Sequence, residues 1–267
     1  MKKRIVALVL AVLTLVLALG FAGCKKNDKT DWDYIADKGE LVIGITYFRP
    51  MNYMENGELV GFETEFAKAV CEKLGVTAKF QEIDWDSKVT ELNSKTIDCI
   101  WNGFTITGRE DDYTWTEPYM ANKQVFIVAN DSDIKSQADL AGKNGEVQAD
   151  SSAETALKEN PDLTNTFGQL LTTADYNTAF MDLEQGAVDA VAMDVIVAGY
   201  QIKQRNADFK ILDDSLSEEE YGVGFKKGNT ELRDKVQATL EEMAADGTLA
   251  KISDEWFGED VTTIGNK

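Results

Sequence analysis

The stretch ELNSKTIDCIWNG, residues 91 to 103, returns in altered form as DLEQGAVDAVAMD, residues 182 to 194. Each copy has a leucine, then an aspartate preceded by an apolar residue, then a short apolar run. Leu92 to Asp98 spans the same distance as Leu183 to Asp189. A helix feeding a strand fits both copies. Polar residues follow each run: Asn102 and Gly103 in the first copy, Asp194 in the second. Open α/β sheets bind ligands beyond the carboxyl ends of their strands. The repeat therefore reads as two similar lobes that face each other across a cleft.

Outward from the repeat, strand and helix signals alternate. ELVIGIT (40 to 46) reads as a buried strand. GFETEFAKAVCEKLG (61 to 75) reads as an amphipathic helix with Phe62, Phe66, Val70 and Leu74 on one face, closed by Gly75. Val89 and Leu92 mark a further helix, and residues 97 to 101 and QVFIVAN (124 to 130) mark strands. SSAETALKEN (151 to 160) opens with Ser151 three residues before Glu154, the spacing of a capping box. This alternation predicts an α/β architecture with largely parallel sheets.

The first residues, MKKRIVALVLAVLTLVLALGFAGC, pass from a basic start through an uncharged apolar run to small residues ahead of Cys24. That order is the order of a secretory signal segment. It resembles the bacterial lipoprotein signal, which implies removal of residues 1 to 23 and lipidation of Cys24. The acyl chains would hold the protein at the outer face of the cell membrane, each buried methylene contributing about 0.8 kcal/mol. Residues 24 to 35, polar at their start, read as a tether.

The whole chain carries 47 acidic against 27 basic residues, a net charge of −20. Such a balance argues against nucleic acid, whose phosphates need a basic surface. The chain has no histidine and no CxxC pair. A zinc site is thus poorly supported, and a cysteine-histidine nucleophile is excluded. Cys71 and Cys99 read as free thiols, with a disulfide as the alternative.

In order and spacing, KGELVIGITYFRP, GELVGFETEFAKAVCEKLG, the set Trp85, Leu92 and Asp98, NGFTITGRE, TWTEPYM and the ending LRDKVQATLEEMAADGTLAKISDEWFG form a specific pattern. From about residue 36 to 259 the chain resembles the polar amino-acid solute-binding proteins of ATP-driven importers, the family 3 type. The resemblance implies an α/β periplasmic-binding-protein fold of type II, with a mixed sheet flanked by helices in each lobe and the ligand cleft between the lobes. The first lobe would comprise residues 36 to 119 and 222 to 259, the second 123 to 216, with hinge strands at 119 to 123 and 217 to 221.

By the same resemblance the protein captures a free amino acid and delivers it to the membrane permease. It would be a monomer without a cofactor, and it would catalyse no reaction. Arg109 would take the ligand's carboxylate with two parallel hydrogen bonds, and Asp194 its ammonium. Arg109 stands four residues after Thr105, and Gly108 can adopt the φ values that such a turn needs. Thr105 and the backbone at Asn102 and Gly103 would add hydrogen bonds. Ser151 and Ser152 sit at a predicted helix start whose N–H groups favour an anion. Phe48 and Trp85 would sandwich the ligand's side chain, and Gln148 would select it. A neutral polar or sulfur-containing amino acid, such as glutamine or cystine, is the expected ligand. An enzyme resembling cyclohexadienyl dehydratase, or a sensing partner of a membrane receptor, is the alternative on this fold.

Overall fold

The computed structural model describes residues 29 to 265. The signal segment and Cys24 lie outside the described residues. Among those described, no helix is long and apolar enough to cross a membrane. The chain enters at helix α1 (Asp31–Lys38), whose start is fixed by a capping box between Thr30 and Asp33. Ile35 is buried beneath it, and Asp31 accepts a hydrogen bond from the Leu232 amide. Residues 31 to 35, expected in the tether, thus belong to the folded body.

Two five-stranded sheets organise the molecule. The first holds β1 (Glu40–Ile45), β4 (Thr77–Glu82), β5 (Cys99–Ile100), β6 (Tyr113–Trp115) and β12 (Gly224–Lys226), in the order β4-β1-β5-β12-β6. The second holds β7 (Met120–Ala129), β8 (Asn144–Gln148), β9 (Gln169–Thr173), β10 (Ala190–Asp194) and β11 (Phe209–Tyr221), in the order β11-β7-β10-β8-β9. A small ribbon pairs β2 (Tyr53–Glu55) with β3 (Glu58–Val60).

Alternation alone pointed to largely parallel sheets, but both sheets are mixed, as the family resemblance implies. β1 lies parallel to β4 and β5, while β12 runs antiparallel to β5 and β6. In the second sheet β8 lies parallel to β9 and β10, while β7 runs antiparallel to β10 and β11. The antiparallel strands are those by which the chain leaves and re-enters the first lobe. β7 and β11 run side by side from the pair Met120 and Tyr221 to the pair Ala129 and Phe209, with a register irregularity between Ile211 and Ser217.

Helix α2 (Phe62–Leu74) shows why its sequence folds as it does. Phe62, Phe66 and Val70 are buried and Leu74 is partly so, and Gly75 closes the helix in the left-handed conformation. Burying each such side chain contributes roughly 1.5–3 kcal/mol. α2 packs on β4, α8 (Thr230–Ala245) and α9 (Thr248–Phe257), and α1 packs on α8, so the C-terminal helices cover the first sheet. On the second sheet lie α4 (Ser152–Glu159), α6 (Tyr176–Glu184) and α7 (Val195–Arg205). Two short helices complete the set: α3 (Lys88–Ser94), between β4 and β5, and α5 (Pro161–Thr164), which follows α4.

The internal repeat is structural. α3 and α6 each feed a strand, with Leu92 and Leu183 buried beneath them. Asp98 accepts from the Val42 amide at 2.7 Å and donates its own amide to the Val42 carbonyl. Asp189 does the same with Asn144, at 2.8 Å for each bond. Each aspartate therefore pins its strand to a parallel neighbour. Cys71 and Cys99 are buried free thiols.

Candidate ligand-binding cleft

The parallel strands of both sheets end at a shared cavity of about 320 Å³ of empty space. Thr46 and Phe48 follow β1, and Asn102, Gly103, Thr105 and Arg109 follow β5. Trp85 comes from a single 3-10 turn, residues 85 to 87. From the other lobe, Gln148 ends β8, Ser151 and Ser152 begin α4, Tyr176 begins α6 and Asp194 ends β10. All ten residues singled out in the sequence line this one cavity.

The half-buried Arg109 makes no salt bridge with Glu110, Asp111 or Asp112, its acidic neighbours in sequence. Its guanidinium donates to the Thr105 carbonyl at 3.3 Å and the Asp150 carbonyl at 3.4 Å, and it sits 5.6 Å from the Phe104 ring centroid. The turn before it is closed by the Arg109 amide on the Ile106 carbonyl, with Gly108 at φ 78°. A cation held by carbonyls alone, at the wall of a cavity, is arranged to receive an anion.

The loop after β5 is itself held from behind. Asn102 accepts from the Thr46 amide and from Asn52, and donates to the Thr46 hydroxyl. Its side chain therefore shapes the cleft rather than facing a ligand. Gly103 donates its amide to both oxygens of the fully buried Glu63, at 2.8 and 2.9 Å, so any contact from this residue falls to its carbonyl. Glu63 also accepts from Asn52 and from the Tyr119 hydroxyl. Burial pushes its carboxyl up to about 7 against the pull of these donors. Replacing Glu63 by alanine leaves the Gly103 amide and the Tyr119 hydroxyl without their acceptor, while Asn52 keeps the Trp101 carbonyl and Asn102. Each lost partner costs roughly 1–3 kcal/mol before relaxation. A loss of about 2–4 kcal/mol is the expected result, read from urea denaturation.

At the back of the cleft, the buried Asp194 accepts at Oδ1 from Asn122 (2.7 Å), Gln124 (2.8 Å) and the Tyr221 hydroxyl. Burial, and next the Glu219 carboxylate, push its carboxyl up to about 7. Asp194 occupies the N-cap position of α7 but makes no side-chain capping bond, which leaves its role to the cleft. Ser151 does cap α4 through a bond from the Glu154 amide at 3.1 Å, but Glu154 reaches back to the Asp150 amide instead of completing the box. Thr105 and Ser152 meet across the cleft, oxygen to oxygen, at 3.1 Å.

Phe48 and Trp85, expected to sandwich the ligand's side chain, each pack against a further aromatic ring. Phe48 stacks on Tyr176 of the second lobe, centroids 5.5 Å apart at 29°. Trp85 packs edge-on to Phe104, with the Lys88 ammonium 4.7 Å from its ring centroid. Both remain in the cavity wall. Gln148 donates to the Ala174 carbonyl at 2.9 Å.

Sequence reasoning missed Thr46, Tyr176, Glu63 and Lys88. Thr46 and Tyr176 follow strand ends, so the rule that located Asn102 and Asp194 applied to them as well. Glu63 lies on the apolar stripe of α2, where a charged residue is itself a signal. Lys88 carried no signal. It is 2% exposed and bridges the lobes, donating to the Trp85 carbonyl and to the Asp150 carboxylate. Burial lowers the pKa of its ammonium, while Asp150 opposes that shift.

Residues 41 to 259 match the family model of the bacterial extracellular solute-binding proteins, family 3. The chain is 31% identical to the L-cystine-binding protein TcyJ of Escherichia coli (strain K12), over 95% of this chain and 96% of that protein. It is 33% identical to the L-cystine-binding protein TcyA of Bacillus subtilis (strain 168), over 98% of this chain and all of that protein. Among solved structures, it superposes with TM-score 0.85 and 33% identity on a substrate-binding protein of an ABC uptake transporter from Streptococcus pneumoniae with bound histidine, over 87% of this chain and 98% of that one. Matched along nearly its whole folded length in sequence and in structure, the chain belongs to the bacterial extracellular solute-binding proteins of family 3.

Proposed function

We propose that the protein is the substrate-binding component of an ATP-driven amino-acid importer, capturing a free amino acid between its lobes and delivering it to the membrane permease. The observation that carries this reading is the pairing of a guanidinium that makes no ion pair, on the first lobe, with a buried carboxylate on the second. Arg109 would take the ligand's carboxylate and Asp194 its ammonium, because a zwitterion leaves water only where both charges are met. The lobes would divide at 119 to 123 and 217 to 221, with lipidated Cys24 holding a monomer at the outer face of the membrane. Capture involves no chemical step. Micromolar affinity, about −8 kcal/mol, suffices for scavenging.

Cystine is the favoured ligand within the neutral polar or sulfur-containing class. Two relatives that match over almost the whole chain are L-cystine-binding proteins. Beyond Thr46 and Trp85 the cleft continues into an outer chamber of about 1000 Å³, partly open to solvent and edged by Glu82, Asp84, Asp86 and Asp175. That chamber offers room and negative charge for the second half of a long, doubly zwitterionic ligand. A thermal-shift screen of the twenty amino acids plus cystine tests the assignment. Cystine is expected to raise the melting temperature by mass action, and a shift with arginine alone would overturn it.

Lobe closure gives a second expected result. Lys88 contacts Asp150 across the cleft, and a hydrogen bond to a charged group is worth roughly 1.5–3 kcal/mol. If the ligand selects the closed form through such contacts, Lys88→Met weakens binding by about tenfold or more. Calorimetry reads this directly, and unchanged affinity would mean that the contact is equally formed in both states.

A further inference from the structure

A buried polar layer where the crossing strands meet the cleft extends beyond Asp194 to groups the capture scheme does not use. Asn122 on β7 donates from one Nδ2 to Asp194 Oδ1 at 2.7 Å and to Glu219 Oε1 at 2.6 Å. Gln124 donates from one Nε2 to the same two oxygens, at 2.8 Å each. Thr105 adds a bond to Glu219 Oε1 at 3.0 Å. Asp194 and Glu219 are each 5% exposed, and no lysine or arginine among the described residues lies within ion-pair distance of either. The groups facing the pair are the hydroxyls of Tyr221 on β11 and Tyr176 on α6. Tyr119 and the Glu63 carboxyl of α2 lie behind Tyr221, and Arg109 is the cation across the cleft. Two carboxylates clamped by two shared amides have neutral donors only, and in a dry interior a like charge so placed disfavours ionisation of its neighbour.

We propose that Asp194 and Glu219 work as one unit that holds a proton in the empty cleft, so that arrival of the ligand's ammonium drives that proton from Asp194 to solvent. This rests on the capture reading, and it makes Glu219 a positioning residue that acts through Asp194. An ammonium beside Asp194 favours the charged form of the carboxyl, and Glu219 beside it favours the neutral one. Titration of the pair is therefore coupled to occupancy of the site. Below neutrality each pH unit lowers affinity by up to about tenfold, because the proton must leave before the ammonium binds. At more alkaline pH the coupling vanishes.

Calorimetric titrations with L-cystine, and separately with L-arginine, at about pH 6 in phosphate and in imidazole test the coupling. Heats that differ between the buffers by the release of up to one proton per ligand at about pH 6, with the release shrinking by about pH 7.5, below the range where the ligand's own amino group titrates, support it. Saturable binding with equal heats in both buffers at the lower pH overturns it. In Glu219→Gln the pH dependence of affinity is expected to move to lower pH, and an unmoved profile counts against the role of Glu219. Binding of neither probe would sink their part in the capture reading, and carboxyl 13C titration of the free protein would still decide about the pair. One carboxyl ionising near neutrality, shifted downward in Glu219→Gln, supports it; both ionised by about pH 5 overturns it.

Discussion

Arg109→Ala lowers amino-acid affinity by roughly two to three orders of magnitude in calorimetry, the cost of leaving a ligand carboxylate unpaired in a closed cleft. The size of the expected loss follows from the surroundings of the guanidinium. Arg109 is held by two carbonyls and makes no ion pair with the acidic residues after it, so its charge is open to a ligand carboxylate. Arg109→Lys separates charge from shape. A lysine keeps the charge but lacks the planar fork that binds both carboxylate oxygens, so it recovers only part of the affinity. A surface role for Arg109 predicts instead that both variants bind as the parent does, since exposed pairs contribute about 0–1 kcal/mol.

Asp194→Asn is expected to produce a comparable loss of binding together with an opposite effect on the free protein. In the folded chain the Asp194 carboxyl is pushed up to about 7 by burial and by Glu219. Its ordinary value is near 3.8, so the folded state holds the proton more tightly than the unfolded state. The stability this contributes is fully present below about pH 4 and is lost as pH rises through about 7. Asparagine cannot ionise and does not follow that decline. The stability of Asp194→Asn relative to the parent should therefore rise between about pH 5 and pH 8 in urea denaturation, while ligand binding stays weak throughout. A stability difference that stays constant over that range would show that the native carboxylate is already ionised at about pH 5.

Much of this arrangement was legible in the sequence, and the reason is local. Asp98 and Asp189 each stand where a helix hands over to a strand, and each bonds the backbone of the neighbouring parallel strand. A repeated spacing of leucine, aspartate and apolar run is thus the signature of a repeated fold element. Asn102, Gly103 and Asp194 were legible because they lie at or just past strand ends, while the other cleft residues came from the family resemblance. What escaped detection depends on pairing between distant segments. The register of β7 against β11 brings Asn122 to Glu219, 97 positions away, and Gln124 lies 70 positions from Asp194. Nothing in a linear pattern encodes that meeting. Periodicity alone did not show the mixed sheets, which only the resemblance implied, because β6 and β12 are three residues each, too short to show a period. Lys88 looked like an ordinary helical surface residue, and contacts with Trp85 and with Asp150 of the second lobe cover it.

The central claim is that both charges of one zwitterion are read across the cleft, and blocked ligands test it most directly. The amino acid that binds in the screen would be titrated calorimetrically beside its carboxyl-amidated and N-acetylated forms. With Arg109 on the carboxylate and Asp194 on the ammonium, each blocked form binds at least about a hundredfold more weakly than the parent amino acid. Either blocked form binding as tightly as the parent would contradict the account.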